Sequence, residues 1–285
     1  MLAHSKKLRI NCLENRIGPG SKEISIYTAY CNSPDHLGRI LIIYGGTTEK
    51  NFSHTVRFFW AEHLARLGFV VHFFDFRSNL GDSKFSDYGL YDRLQDSKAV
   101  IDYLLSKQAL FKHLPLSLMG LGMGGHLAVL VASDYEYREQ VKNLILIVPA
   151  AYNDKALSPN VKFGSEFSKI IRTRDDRRLS TIFSRSRRIK ANCLVVACKK
   201  DEIVPSEIPW LYFLHLAQPR DSAARSYKRI CELSDYGHHG NYDDSEKRGL
   251  IVQHLLGFFK NSKSLPSRPS RVPVCRGVLI NKVTA

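Results

Sequence analysis

An aspartate, two adjacent histidines and two glycine-rich turns are the residues of this chain whose types can do chemistry. Asp201 stands in "KKDEIVP", His238 and His239 in "GHH", and the glycines in "YGG" (residues 44–46) and "GLGMGG" (residues 120–125). An imidazole beside a carboxylate can take a proton from water or from a substrate, an effect worth roughly a hundredfold or more. Backbone amides at a glycine turn can hold developing negative charge. The second turn lies inside "LMGLGMGGHLAVL" (residues 118–130), where an apolar strand runs into a helix, a place where many enzymes carry a nucleophile. Its middle residue is Gly122, which has no oxygen or sulfur with which to attack an acyl carbon. Taken alone, "GLGMGG" also suits a dinucleotide loop. Against that reading, it follows a strand far into the chain, and the next strand ends in "VPAAYN", without the acid expected about 20 residues on.

Other nucleophiles are poor substitutes for the missing one. Ser117 lies three residues before Gly120 on the strand itself, where its side chain is expected to be buried. Cys193 and Cys198 share another strand with no base nearby in sequence, so all three read as structural. The six cysteines (Cys12, Cys31, Cys193, Cys198, Cys231, Cys275) show no CxxC spacing and several fall in apolar runs, which predicts reduced, buried thiols. No metal-ligand cluster is visible, and no metal or cofactor is expected.

The elements that must position these residues follow from apolar patterning. "KLRINCL" and "EISIYTAYC" can pair as two strands near the N-terminus. "RILIIYGG" then reads as a buried strand, followed by a helix that Ser53 can cap and Gly68 can stop, with Phe59, Leu64 and Leu67 near one side. "FVVHFFDF" is a strand and "DRLQDSKAVIDYLLSK" a helix with Leu94, Ile101, Leu104 and Leu105 inward. The strand "LPLSLMG", the helix "GGHLAVLVAS" and the strand "VKNLILIVPA" follow. After a basic stretch with short helices such as "SEFSKIIRT", strand character returns in "ANCLVVAC", and a helix can run from about Ser206 to Leu216. "SYKRICELSDYGHHG" offers a last strand and "EKRGLIVQHLLGFFK" a final helix, with Ile251, Leu255 and Phe258 or Phe259 on one side. Continuous apolar strands alternating with helices define the fold class as α/β, a mostly parallel sheet covered on both faces.

The excess of positive charge lies almost entirely in two places. Of a net +15, residues 153–190 carry eleven Lys or Arg against four acids, and residues 260–285 carry six basic residues and no acid. Such segments either attract anionic partners or serve as solvated faces. Basic and aromatic residues do not interleave, so nucleic acid is not an expected partner. The longest apolar runs, such as "NLILIVPAA", fall far short of the roughly 20 residues that cross a bilayer, and "MLAHSKKLRINCLEN" lacks a secretory core. No transmembrane segment and a cytoplasmic location are therefore expected.

The order of elements and motifs over roughly residues 20–260 resembles the α/β-hydrolase fold. "YGG" is similar to the glycine turn that supplies an oxyanion-hole amide, and "DFRSNLGDS" (residues 75–83) to the D-x-R-G-x-G-x-S segment, with Ser78 in place of one glycine and one extra residue. "GLGMG" falls on the nucleophile elbow G-x-S-x-G, "KKDEIVP" on the segment bearing the triad acid, and "GHH" on that bearing the triad histidine. The resemblance implies Gly122 at the nucleophile position and Asp201 as acid. It makes His238 the base, with His239 an alternative one residue away, and amides near Gly46 and Met123 the oxyanion hole. Gly45 and Thr47 line the ligand side of that turn. Asp75 and Arg77 are expected as a structural pair near the site. Residues 1–260 form the domain, with a small cap inserted at about 151–190, and residues 261–285 a loosely held basic tail.

Three functions fit a site that keeps its acid and base without its nucleophile. The chain is a pseudo-hydrolase that binds an acyl or anionic small molecule or partner. Alternatively, it is a non-covalent enzyme using a His–Asp base, or an esterase, thioesterase or acyltransferase inactivated by glycine at position 122. A basic cap suits an anionic ligand such as a phosphorylated, CoA-linked or carrier-linked acyl group, and hence an acidic carrier protein or CoA ester as partner.

Overall fold

The computed structural model describes residues 10–18, 23–33, 35–45, 59–80, 84–172, 180–216, 226–238 and 245–262. Eight strands form one sheet: β1 (Ile10–Ile17), β2 (Ile24–Cys31), β3 (Gly38–Ile43), β4 (Phe69–Phe74), β5 (Leu116–Leu121), β6 (Val141–Ile147), β7 (Asn192–Cys198) and β8 (Lys228–Leu233). Their order is β1-β2-β4-β3-β5-β6-β7-β8. β3 to β8 run parallel, while β2 is antiparallel to both β1 and β4. The N-terminal pair expected from the sequence is thus present, and among the described residues β1 and β8 are the sheet's edges.

Every residue of β3, β4 and β5 is buried, as expected of strands covered on both faces. Residues 59–66 are helical and form α1, of which Trp60, Ala61, Leu64 and Ala65 are buried. Ser53, the expected cap of this helix, lies outside the described residues. α2 (Leu90–Leu105), α3 (Met123–Ser133), α4 (Ser165–Arg172), α5 (Ile182–Ser186), α6 (Glu207–Leu216) and α7 (Ser245–Asn261) complete the layers. α2, α3 and α6 pack in one apolar core with Leu41, Leu118, Leu144 and Val195. α1 and α7 pack in the other with Ile42, Met119, Ile145 and Val196. Alternate residues of one strand feed opposite cores, the period-2 consequence of the pleat. Ile251, Leu255, Phe258 and Phe259 of α7 all face the second core.

α2 departs from its expected inward face. Ile101 and Leu104 are buried, but Leu94 and Leu105 are only half-buried, and the innermost positions include Arg93 and Asp96. Between β6 and β7, Phe163 and Phe167 of the basic insert pack into the α2 side of the core, and the Phe163 N–H donates to the Tyr88 carbonyl at 2.8 Å. The insert is thereby anchored by an apolar side while Lys155, Lys169, Arg172, Arg185 and Arg188 stay exposed. Among the described residues, no helix is long and apolar enough to cross a membrane. Residues 263–285, where most of the expected tail falls, lie outside the described residues.

Candidate active site

The chain reverses from β5 into α3 at Gly122, whose φ is +54° and ψ −118°. An L side chain is strained at such a φ, and glycine is not. Both backbone groups of Gly122 are fixed. Its N–H donates to the Ile147 carbonyl at 3.0 Å, and its own carbonyl accepts from the N–H groups of Gly125 (3.0 Å) and Ala150 (2.9 Å). Close approach makes the flanking glycines obligatory. A Cβ on Gly124 would stand 2.0 Å from the Ile43 carbonyl oxygen, and one on Gly120 would stand 2.5 Å from that of Gly124. The elbow is therefore shaped by backbone contacts with β3, β6 and α3, and needs no side chain at its tip to keep its bend.

Parallel strands bring the remaining groups to the same end of the sheet. Gly45 follows β3, where a Cβ would stand 3.0 Å from the Leu121 carbonyl oxygen and 3.4 Å from the Met123 nitrogen. The Met123 amide belongs to the first turn of α3, which has no carbonyl one turn earlier to bind. This crevice between β3 and β5 lies where the strand order turns outward to both sides, the usual ligand position of open α/β sheets. Gly46, Thr47 and His239 lie outside the described residues.

Asp201 follows β7 and His238 follows β8. His238 Nδ1 is 2.8 Å from Asp201 Oδ2, and their side chains are 11% and 2% exposed. Asp201 Oδ1 accepts the N–H groups of Ile203 (2.9 Å) and Val204 (2.7 Å). A carboxylate can only accept, so Nδ1 carries the donated proton, and in the neutral ring Nε2 holds the lone pair. A Cβ on Gly122 would lie 3.4 Å from that Nε2 and 3.5 Å from Cε1. His238 thus lies against both Asp201 and Gly122.

Sequence reasoning missed two side chains here. Glu202 accepts the His238 N–H at 3.2 Å, so adjacent acids hold the histidine by backbone and by ring. Arg93 is fully buried. Its Nη1 donates to the Gly45 carbonyl (3.2 Å) and contacts Met123 Sδ (3.5 Å), and its Nη2 donates to Ser78 Oγ (3.2 Å) and Asn79 Oδ1 (3.3 Å). The guanidinium lies 4.7 Å from the ring centres of Phe76 and Phe163. Ser78, which departs from the glycine of the hydrolase pattern, thus supplies an acceptor to this cation. The clue was present in helical spacing, which puts Arg93 in line with Leu90, Ser97, Val100 and Leu104. Arg93→Ala is expected to lower unfolding stability by about 3 kcal/mol or more, because a large cavity and orphaned acceptors remain. Urea denaturation of the two proteins measures this.

The expected Asp75–Arg77 pairing needs correction. Arg77 donates through its N–H (2.9 Å) and its Nε (2.5 Å) to Asp96, which is 1% exposed, whereas Asp75 and Arg77 themselves are only half-buried. The buried carboxylate recruits the guanidinium because a buried charge without a partner is costly. Burial pushes the Asp96 carboxyl up, and the Arg77 contacts oppose this. Two of the alternative nucleophiles lie near the strand ends opposite the elbow. Ser117 Oγ accepts from Asn143 at 3.0 Å, and Cys193, near the opposite ends of the strands, has its thiol pushed up by burial beside the Lys228 ammonium.

These features define the class: the chain has the α/β-hydrolase fold. Est1E from Butyrivibrio proteoclasticus superposes with a TM-score of 0.60 and 17% identity, over 88% of this chain and 99% of that one. A highly thermostable carboxyl esterase from Bacillus coagulans gives 0.62 and 12%, over 90% and 99%. The acylaminoacyl peptidase of Pyrococcus horikoshii gives 0.64 and 14%, over 94% of this chain but 44% of that one. At identities this low, the likeness shows the fold alone. No family model and no curated protein matches the sequence.

Proposed function

We propose that this chain is a pseudo-hydrolase that binds an acyl or anionic small molecule at the elbow and forms no acyl-enzyme there. The observation that carries the reading is Gly122 at the tip of an intact elbow, its missing side chain facing His238 Nε2 across 3.4 Å. With no nucleophilic atom at that point, covalent catalysis has nothing to start from. The segment between β6 and β7 acts as a basic cap. Its exposed Lys155, Lys169, Arg172, Arg185 and Arg188 favour an anionic ligand, including a CoA ester or an acyl group on an acidic carrier.

The test is to offer the native chain short and medium acyl esters and thioesters together with a serine-directed fluorophosphonate. The expected result is no turnover and no covalent label, while CoA esters raise the melting temperature at low ionic strength and lose that effect with added salt. The 2.8 Å contact between His238 and Asp201 favours a second reading, general-base catalysis on water or on a substrate proton. Turnover by the native chain that disappears in His238→Ala would replace the first reading with the second.

A further inference from the structure

We infer that the ligand of this site presents a carboxylate, with one oxygen in the space a nucleophile side chain would occupy at Gly122 and the other on the opening amides of α3. The inference rests on the reading of the elbow as a ligand site. In acyl transfer at such an elbow, the attacked carbon carries the nucleophile's oxygen on one side and the oxyanion on the other. Without the side chain, both oxygen positions remain around one carbon, and a carboxylate fills both by itself.

Three observations support an anion with this shape. Beyond Gly122 and its two chain neighbours, the described atoms within 4 Å of a Cβ built on Gly122 are Nε2 and Cε1 of His238, so the slot has a polar wall. The charge behind it is positive. α3 presents the N-terminus of an 11-residue helix, and the buried Arg93 guanidinium lies against the Gly45 carbonyl and Met123 Sδ, directly behind the amides. The two acids described beside the histidine are already engaged: Asp201 gives one oxygen to His238 Nδ1 and the other to two backbone amides, and Glu202 accepts the His238 N–H. A proton taken up on Nε2 lets the ring donate to the bound carboxylate, a charge-assisted bond that a neutral ester or amide does not receive.

The probes are straight-chain monocarboxylates from butyrate to decanoate and their primary amides, titrated calorimetrically into the full chain in buffers of different ionisation enthalpy. At least one acid is expected to bind at least about tenfold more tightly than its amide, with uptake of up to one proton. Gly122→Ser, which fills the slot, is expected to weaken that acid at least about tenfold, and His238→Gln to abolish the proton uptake. Equal binding of acid and amide, or unchanged affinity in Gly122→Ser, overturns the carboxylate placement while leaving the ligand site standing. If no probe binds and Gly122→Ser hydrolyses no ester, the reading of the elbow as a ligand site itself falls.

Discussion

Gly122→Ser is expected to hydrolyse short acyl esters about a thousandfold faster than the native chain, and Gly122→Ser/His238→Ala to lose that gain. The reasoning is geometric. A Cβ at position 122 lies 3.4 Å from His238 Nε2, so a serine hydroxyl, one bond further out, can rotate into hydrogen-bonding reach of the base. The base is already oriented by Asp201 at 2.8 Å, and the bend already has the positive φ of an elbow, +54°. A side chain at that φ costs on the order of 1–2 kcal/mol, so the active variant should also melt at a lower temperature than the native chain. Initial rates on a matched ester series, with the double variant as control, measure the gain. A folded serine variant without activity would mean that the donors near Met123 do not meet the acyl oxygen.

Acid should destabilise this protein steeply. His72 and His126 are buried to 2% and 0% exposure. Burial pushes each ring down to about 3, with the charge of Arg39 adding to the first and that of Arg185 to the second. Unfolded, both titrate near ~6.5. Between those limits the unfolded chain binds more protons than the folded one. The contribution to stability is therefore complete above pH ~6.5 and falls as pH drops, by on the order of 1.4 kcal/mol per unit for each ring. By pH ~4.5 the two rings together remove on the order of 5 kcal/mol, comparable to the whole stability of a typical domain. Urea midpoints at pH 7.5, 6 and 5 should shift accordingly, and His72→Gln/His126→Gln should flatten the slope. An identical slope in that double variant would assign the acid sensitivity to other groups.

The layers of the sheet were legible because each parallel strand is a short, unbroken apolar run, and its glycine or proline punctuation fixes where it stops. β3, β4 and β5 needed nothing else. The relative order of Gly122, Asp201 and His238 was legible for the same reason, since parallel strands deliver their C-terminal residues to one rim. What pattern reading could not see are polar side chains whose partners arrive from distant segments. Arg93 is held by Gly45, Ser78, Asn79 and phenylalanine rings from three parts of the chain, and Asp96 claims Arg77 from 19 residues away. Counting apolar residues assigns such groups to solvent, so α2 was given Leu94 and Leu105 as inward positions instead. Glu202 shows the same limit at the site, because its role is to hold a backbone amide, which no residue pattern announces.

The two halves of the site belong to parts of the sheet with different mechanical support. The elbow follows β5, which has paired neighbours on both sides, and its helix is locked against β3 by glycine-to-backbone contact. His238 follows β8, a strand that among the described residues is paired on one side only, through β7. Partial opening of a fold proceeds first where the fewest bonds must break. Fraying of this rim would withdraw the imidazole and leave the bend and its amides in place. The bend and the imidazole thus rest on strands of unequal support, and anything that grips the β8 side would set how often the two meet.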